Sequence, residues 1–266
     1  MSGGRPLLEL REVHKVFGGL RAISGVSLRI EAGQIFGLIG PNGAGKTTLF
    51  NVITGIYRPD GGEVLFDGRP IGGLPPARIA LMGIARTFQN IRLIGEMTVR
   101  ENVMVAGHHR RGVGLLGTVL RTRRWSDGER ALRRKADELL EVLGLSALAD
   151  EQARNLPYGS QRRVEIARAL MLEPRLVLLD EPAAGLNSKE ADVLKEQIRW
   201  LRDTFRLTVV LVEHNMHVVM GVCEHVHCVD HGETIASGTP DEVRNHPAVL
   251  AAYLGEPSVA GSGAGS

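Results

Sequence analysis

The 266-residue sequence predicts an α/β fold with a mostly parallel sheet, an N-terminal antiparallel β subdomain and an inserted helical subdomain. Three observations predict it. First, the runs Ile35–Ile39, Leu176–Leu179 and Thr208–Val212 are short, apolar and not alternating. Strands buried on both faces read this way, as in a parallel sheet covered by helices. Second, the flanks do alternate: Val26, Leu28 and Ile30, then Val64 and Phe66, read as half-exposed antiparallel strands. Third, residues 98–170 carry helical periodicity and no convincing strand.

Taken in order, the run ending at Ile39 meets a glycine-rich turn, and Leu49, Val52, Ile53 and Ile56 then recur at helical spacing. Leu132, Ala136, Leu139, Leu140 and Leu143 form a stripe that stops before Gly144, a good helix stop. After the second run, Val193, Leu194, Ile198 and Leu201 mark another helix. Val226–Asp230, a His231-Gly232 turn and Thr234–Ala236 read as a late hairpin. The expected boundaries are an α/β core with its antiparallel flank over 7–97 and 171–255, a helical subdomain over 98–170, and a flexible small-residue tail over 256–266.

Composition narrows the function. A net charge of +2 is too small to argue for nucleic acid. Cys223 and Cys228 have neither redox nor zinc-knuckle spacing. The N-terminus lacks an apolar signal core, and no apolar stretch approaches the roughly 18 residues of a spanning helix. The expectation is a soluble chain of a reducing compartment. The histidines and cysteines between His214 and His231 fit no standard zinc spacing and alternate across a strand, so no metal site is expected there.

Gly40-Pro-Asn-Gly-Ala-Gly-Lys-Thr47 satisfies GxxxxGK[ST], after an apolar strand and before an amphipathic helix. Glycines turn backbone N–H groups inward, the helix N-terminus adds partial positive charge, Lys46 adds a full one, and Thr47 offers Mg²⁺ a hydroxyl. This defines a P-loop NTPase core, with Asn42, Gly43, Ala44, Gly45, Lys46, Thr47 and Thr48 as nucleotide ligands. Asp180 and Glu181 end the second apolar run, where a strand of such a sheet faces the ligand crevice. Asp180 suits the Mg²⁺ shell and Glu181 the polarisation of an attacking water. The third run ends at Glu213 and His214, and a histidine there can reach a γ-phosphate.

Together these motifs resemble the ATPase subunit of an ABC transporter over residues 7 to about 255. The resemblance implies ATP and Mg²⁺ as cofactors. It implies Phe17 stacking on adenine, Gln89 touching Mg²⁺ or the attacking water, and Asp180 holding the metal through water. Glu181 is then the catalytic acid and His214 the switch histidine. The family's LSGGQ segment, which caps ATP on the opposite subunit, aligns with Leu156-Pro-Tyr-Gly-Ser160, so Tyr158, Gly159 and Ser160 are implied as nucleotide contacts. Pro157 lacks the usual serine hydroxyl, and Asn187 stands where aspartate is usual. Backbone amides at a helix N-terminus still bind anions whatever the side chains.

Within the family the chain is most similar to importer subunits for branched-chain amino acids and related polar solutes. The features are Phe17-Gly-Gly-Leu20, Arg162–Arg168, the Glu181–Asn187 loop, Tyr253-Leu-Gly255 and the basic segment His108–Trp125. The resemblance implies transmembrane permease subunits as partners, contacted near Asn90–Thr98. It also implies a second ATPase subunit, identical or paralogous, and indirectly an extracytoplasmic solute-binding protein. No nucleic acid is implied, and the place is peripheral, on the cytoplasmic face of the inner membrane. Arg110, Arg111, Arg121, Arg123, Arg124, Arg130, Arg133 and Arg134 are either a solvated face or a surface near anionic head groups. Rival readings are an export ATPase of the lipopolysaccharide type, a nucleotide-binding regulator without hydrolysis, and a soluble ATPase acting on DNA or ribosomes.

Overall fold

The computed structural model describes residues 5–87, 93–108 and 123–254. Its first sheet is antiparallel, with strands β1 (Leu8–Phe17), β2 (Leu20–Ile30), β4 (Gly61–Phe66) and the short β5 (Arg69–Pro70) in the order β2-β1-β4-β5. Val26, Leu28 and Ile30 turn inward while Ser27 and Arg29 are exposed, the alternation expected of a sheet with one solvated face.

The second sheet has six strands in the order β10-β9-β3-β8-β7-β6. They are β3 (Ile35–Ile39), β6 (Ile84–Arg86), β7 (Leu176–Asp180), β8 (Thr208–Val212), β9 (His225–Asp230) and β10 (Glu233–Gly238). All adjacent pairs are parallel except the β9–β10 hairpin, which turns at His231 and Gly232. Strand β6 was not expected. Its three residues are too few to show a period, and its place comes from pairing with β7.

Alternate residues of the central strands enter two hydrophobic clusters. Phe36, Leu38, Leu178 and Val210 join one, under the antiparallel sheet and helix α1 (Lys46–Ile53). Ile35, Ile39, Val177, Leu179, Val209 and Leu211 join the other. That second cluster continues into α3 (Val99–His108), α4 (Arg123–Val142) and α5 (Tyr158–Met171), so the inserted helices share their apolar packing with one face of the sheet. Leu132, Ala136, Leu139, Leu140 and Leu143 are buried as the stripe requires, and Gly144 follows at φ 65°.

Two expected positions differ. Ile56 is 48% exposed, because α1 ends at Ile53 and Gly55 takes a left-handed turn at φ 76°. Val193 lies on α6 (Ser188–Phe205) as expected, yet it is 57% exposed while Ile198 and Leu201 are buried. The remaining helices are α2 (Pro76–Leu81), α7 (Met216–Val222), α8 (Pro240–Arg244) and α9 (Pro247–Leu254). Among the described residues no helix is long and apolar enough to cross a membrane.

Candidate nucleotide site

The order β3-β8-β7-β6 sets four chain segments side by side at the C-terminal ends of parallel strands. The Gly40–Thr47 loop follows β3, His214 follows β8, Glu181 follows β7 and Thr87 follows β6. Ligands of open α/β sheets bind in this crevice.

The phosphate loop has its shape for steric reasons. Gly40 sits at φ 151°, where a Cβ would lie 2.1 Å from the Val229 carbonyl oxygen. Gly45 caps α1 at φ 104°, where a Cβ would lie 2.6 Å from the Ala22 carbonyl oxygen. Only glycine fits either place. The Lys46 Nζ donates to the carbonyls of Gly40 at 2.6 Å and Pro41 at 2.7 Å, which holds the ammonium over the loop. Thr47 is exposed at the first turn of α1.

A cavity of about 560 Å³ gathers Phe17, Asn42, Gly43, Ala44, Gly45, Lys46, Thr47, Thr48 and Glu181, nine of the residues singled out from sequence. Leu20, Arg21, Ala22 and His231 also line it; Leu20 stands in the Phe17–Leu20 motif and His231 in the expected turn, but none of the four was singled out as a nucleotide contact. Phe17 forms the rim, 40% exposed and edge-on to Tyr57 at 5.0 Å, with the Lys15 ammonium 5.2 Å from its ring centre. An exposed aromatic beside anion-binding amides suits a nucleotide base next to its phosphates.

Glu181 holds a left-handed conformation at φ 45°, rare for a residue with a side chain, and its amide donates to the Val212 carbonyl at 2.9 Å. The His214 Nδ1 lies 3.9 Å from the Glu181 carboxylate. Asp180 is buried, and its Oδ2 accepts from the Arg86 guanidinium at 2.6 Å. The same guanidinium donates to the Asn51 Oδ1 at 2.7 Å and lies 5.6 Å over the Phe50 ring. Arg86 was not singled out from sequence, since its partner stands 94 residues away. Likewise the Gly40 amide donates to the Tyr253 hydroxyl on α9, at 2.9 Å and 213 residues apart.

Tyr158, Gly159 and Ser160 lie elsewhere, along a groove of about 620 Å³ between α5 and α6 that also touches Asp180. Pro157 caps α5 without any side-chain hydrogen bond. Gly159 faces open space, with no atom within 4 Å of where a Cβ would stand. Tyr158 is 56% exposed, its hydroxyl accepting from the Arg162 Nε and Nη2. The Ser160 hydroxyl is turned inward and accepts from Arg163 at 3.2 Å. Arg162 also donates to the Pro182 carbonyl, tying α5 to the loop after Glu181. Asn187 caps α6 in a capping box with Glu190, a local role that asparagine fills as well as aspartate.

Gln89, residues 90–92 of the expected partner contact, and Arg110, Arg111 and Arg121 lie outside the described residues. Arg130 pairs with Asp127 one turn away. Among the described residues no group of three or more His, Cys, Asp or Glu side chains is arranged to hold a metal ion. The His214–His231 stretch has other partners: His217 meets Asp192 at 2.8 Å, and His227 meets Ser237 and Thr234. A single Mg²⁺ held by one hydroxyl, water and substrate phosphates needs no such group, so the exposed Thr47 of the phosphate loop fits that ion, with Asp180 at the C-terminal end of β7 as its acidic partner.

The fold and this crevice define a phosphate-loop nucleotide-binding protein. The ABC transporter family model matches residues 23–184, and a second, for branched-chain amino acid ATP-binding cassette transporters, matches residues 233–258. The chain belongs to the ABC transporter family of ATPases. It is 47% identical to BraF of Pseudomonas aeruginosa, a high-affinity branched-chain amino acid transport ATP-binding protein, across 95% of this chain and 99% of BraF. It is 46% identical to LivG of Escherichia coli over the same shares of each chain. The ADP conformation of MJ1267, an ATP-binding cassette of an ABC transporter, superposes with a TM-score of 0.82 at 35% identity, covering 95% of this chain and 100% of that one. The dimeric cassette MJ0796 reaches a TM-score of 0.71 at 27% identity, covering 88% and 98%.

Proposed function

We propose that this chain is the ATP-hydrolysing subunit of an importer for branched-chain amino acids or related polar solutes. It works with transmembrane permease subunits, a second ATPase subunit and, through them, a solute-binding protein. Its place is peripheral, on the cytoplasmic face of the membrane. The observation that carries the hydrolytic reading is the placing of Glu181 in the phosphate-loop cavity with the His214 imidazole 3.9 Å away.

Phe17 stacks on the base, and the amides of Asn42–Thr48 with Lys46 cradle the phosphates. Thr47 and Asp180 would hold Mg²⁺, and the ion would supply positive charge to offset that of the phosphates. Glu181 orients the attacking water in line and accepts its proton, while His214 steadies that arrangement. Gly159, at the open N-terminus of α5, faces the nucleotide of the second subunit. BraF and LivG, named for branched-chain amino acid transport, support the solute class.

The test is co-purification with the permease subunits, followed by ATPase measurement across candidate solutes with their binding protein. Glu181→Gln should lower turnover by about 10²–10⁴-fold, the span of a positioned general base, with ATP binding retained. Equal turnover in the two proteins would show that the chain binds nucleotide without using this site for hydrolysis.

A further inference from the structure

Glu213 directly follows β8 and is wholly buried, beside the proposed catalytic pair. Its carboxylate reaches two loops at once. Oε1 accepts the Ala183 amide at 2.5 Å, on the turn that begins at Glu181. Oε2 accepts the amides of His214 and Asn215, each at 3.1 Å. Burying a carboxylate is costly unless charge-assisted bonds satisfy it, and here backbone amides of both loops do so. The turn after Glu181 is closed by the Ala184 amide on the Glu181 carbonyl, and Asn215 caps α7 through its own side chain. Each loop is therefore firm in itself, and the Glu213 carboxylate joins the two.

We infer that Glu213 is a positioning residue for ATP hydrolysis, bridging the Glu181 loop and the His214 loop so that the two side chains keep their spacing. The inference rests on the reading of Glu181 and His214 given above. The chemistry is specific to a carboxylate of this length. Glutamine has one acceptor and one NH₂ group, and the NH₂ would face an amide N–H on one of the two loops. Aspartate keeps charge and both acceptors but draws them back by one methylene, so it cannot span both loops.

The test uses the full chain in its transporter complex, with kcat, KM for ATP and thermal midpoint measured together. Glu213→Gln and Glu213→Asp should each lower kcat about tenfold or more and leave KM within about twofold, as loss of transition-state positioning does. In a His214→Ala background, Glu213→Gln should lower kcat by less than about a further twofold, because residues acting as one unit are not additive. A kcat within twofold of wild type with a lowered midpoint would make Glu213 a structural anchor only. Losses that multiply with those of His214→Ala would also overturn the inference. Should neither variant fold, hydrogen exchange on the wild-type chain decides. Amides around Ala183 and those of His214 and Asn215 should open at one rate, and independent opening rates would overturn it. Failure of Glu181→Gln to lower turnover would remove the reading of the whole site. A normal loss there beside unaffected Glu213 variants would remove this inference alone.

Discussion

Replacing Arg86 with methionine should unsettle both the fold and the acid behind the phosphate loop. The Arg86 and Asp180 side chains are each only 10% exposed and meet at 2.6 Å, and the same guanidinium bonds Asn51. Methionine fills most of the space over Phe50 but leaves a buried carboxylate without this countercharge. Breaking one side of a buried pair costs about 3–5 kcal/mol. For a chain of this size, each kcal/mol moves the thermal midpoint by roughly 2–4 °C, so the nucleotide-free variant should melt about 10 °C lower. Arg86→Lys keeps the charge but not the fork that reaches Asp180 and Asn51 together, and should fall between the two. The decisive measurement is the double variant Arg86→Met/Asp180→Asn by thermal and denaturant unfolding. Its loss should be smaller than the sum of the single losses by about 1–3 kcal/mol. A single-variant loss under about 1 kcal/mol, the size of an exposed pair, or strict additivity, would refute the claim that this ion pair organises the strand ends.

Three further outcomes are expected. Gly159→Leu should leave the isolated chain at least as stable as wild type, since a Cβ there meets no atom within 4 Å. In a Glu181→Gln background it should abolish ATP-driven association measured by gel filtration, and undiminished association would show that α5 does not face the second subunit's nucleotide. Pro157→Ser should leave turnover within about twofold if backbone amides bind the anion, and a manyfold rise would mark the natural loop as a weakened one. Burial pushes the His227 imidazole down to about 4 while Ser237 and Thr234 hold it neutral. The unfolded chain therefore binds the proton first. Stability from this group is complete above about pH 6.5 and drains as pH falls towards 4, by about 3 kcal/mol in all. Denaturant unfolding between pH 7.5 and 4.5 should show a flatter slope for His227→Gln, and identical slopes would refute the assignment.

Features that neighbouring residues settle among themselves were largely legible in the chain, the early end of α1 before Gly55 excepted. The Gly40–Thr47 loop follows from consecutive glycines between a strand and a helix, and the Leu132–Leu143 stripe from 3.6-residue periodicity. Glu181 was legible because an apolar run ends in two acids. Tertiary structure decided which of these segments meet. Placing β8 between β3 and β7 brings His214 to Glu181, and no local pattern reports strand order. The bonds from Arg86 to Asp180, Ala183 to Glu213 and Gly40 to Tyr253 span 94, 30 and 213 residues. The inward turn of the Ser160 hydroxyl and the exposure of Val193 also depend on what packs opposite them. Periodicity tells a residue which side of its own element it occupies. Which partner waits on that side is set by how the chain stacks its elements, and the chemistry of this crevice depends on those partners.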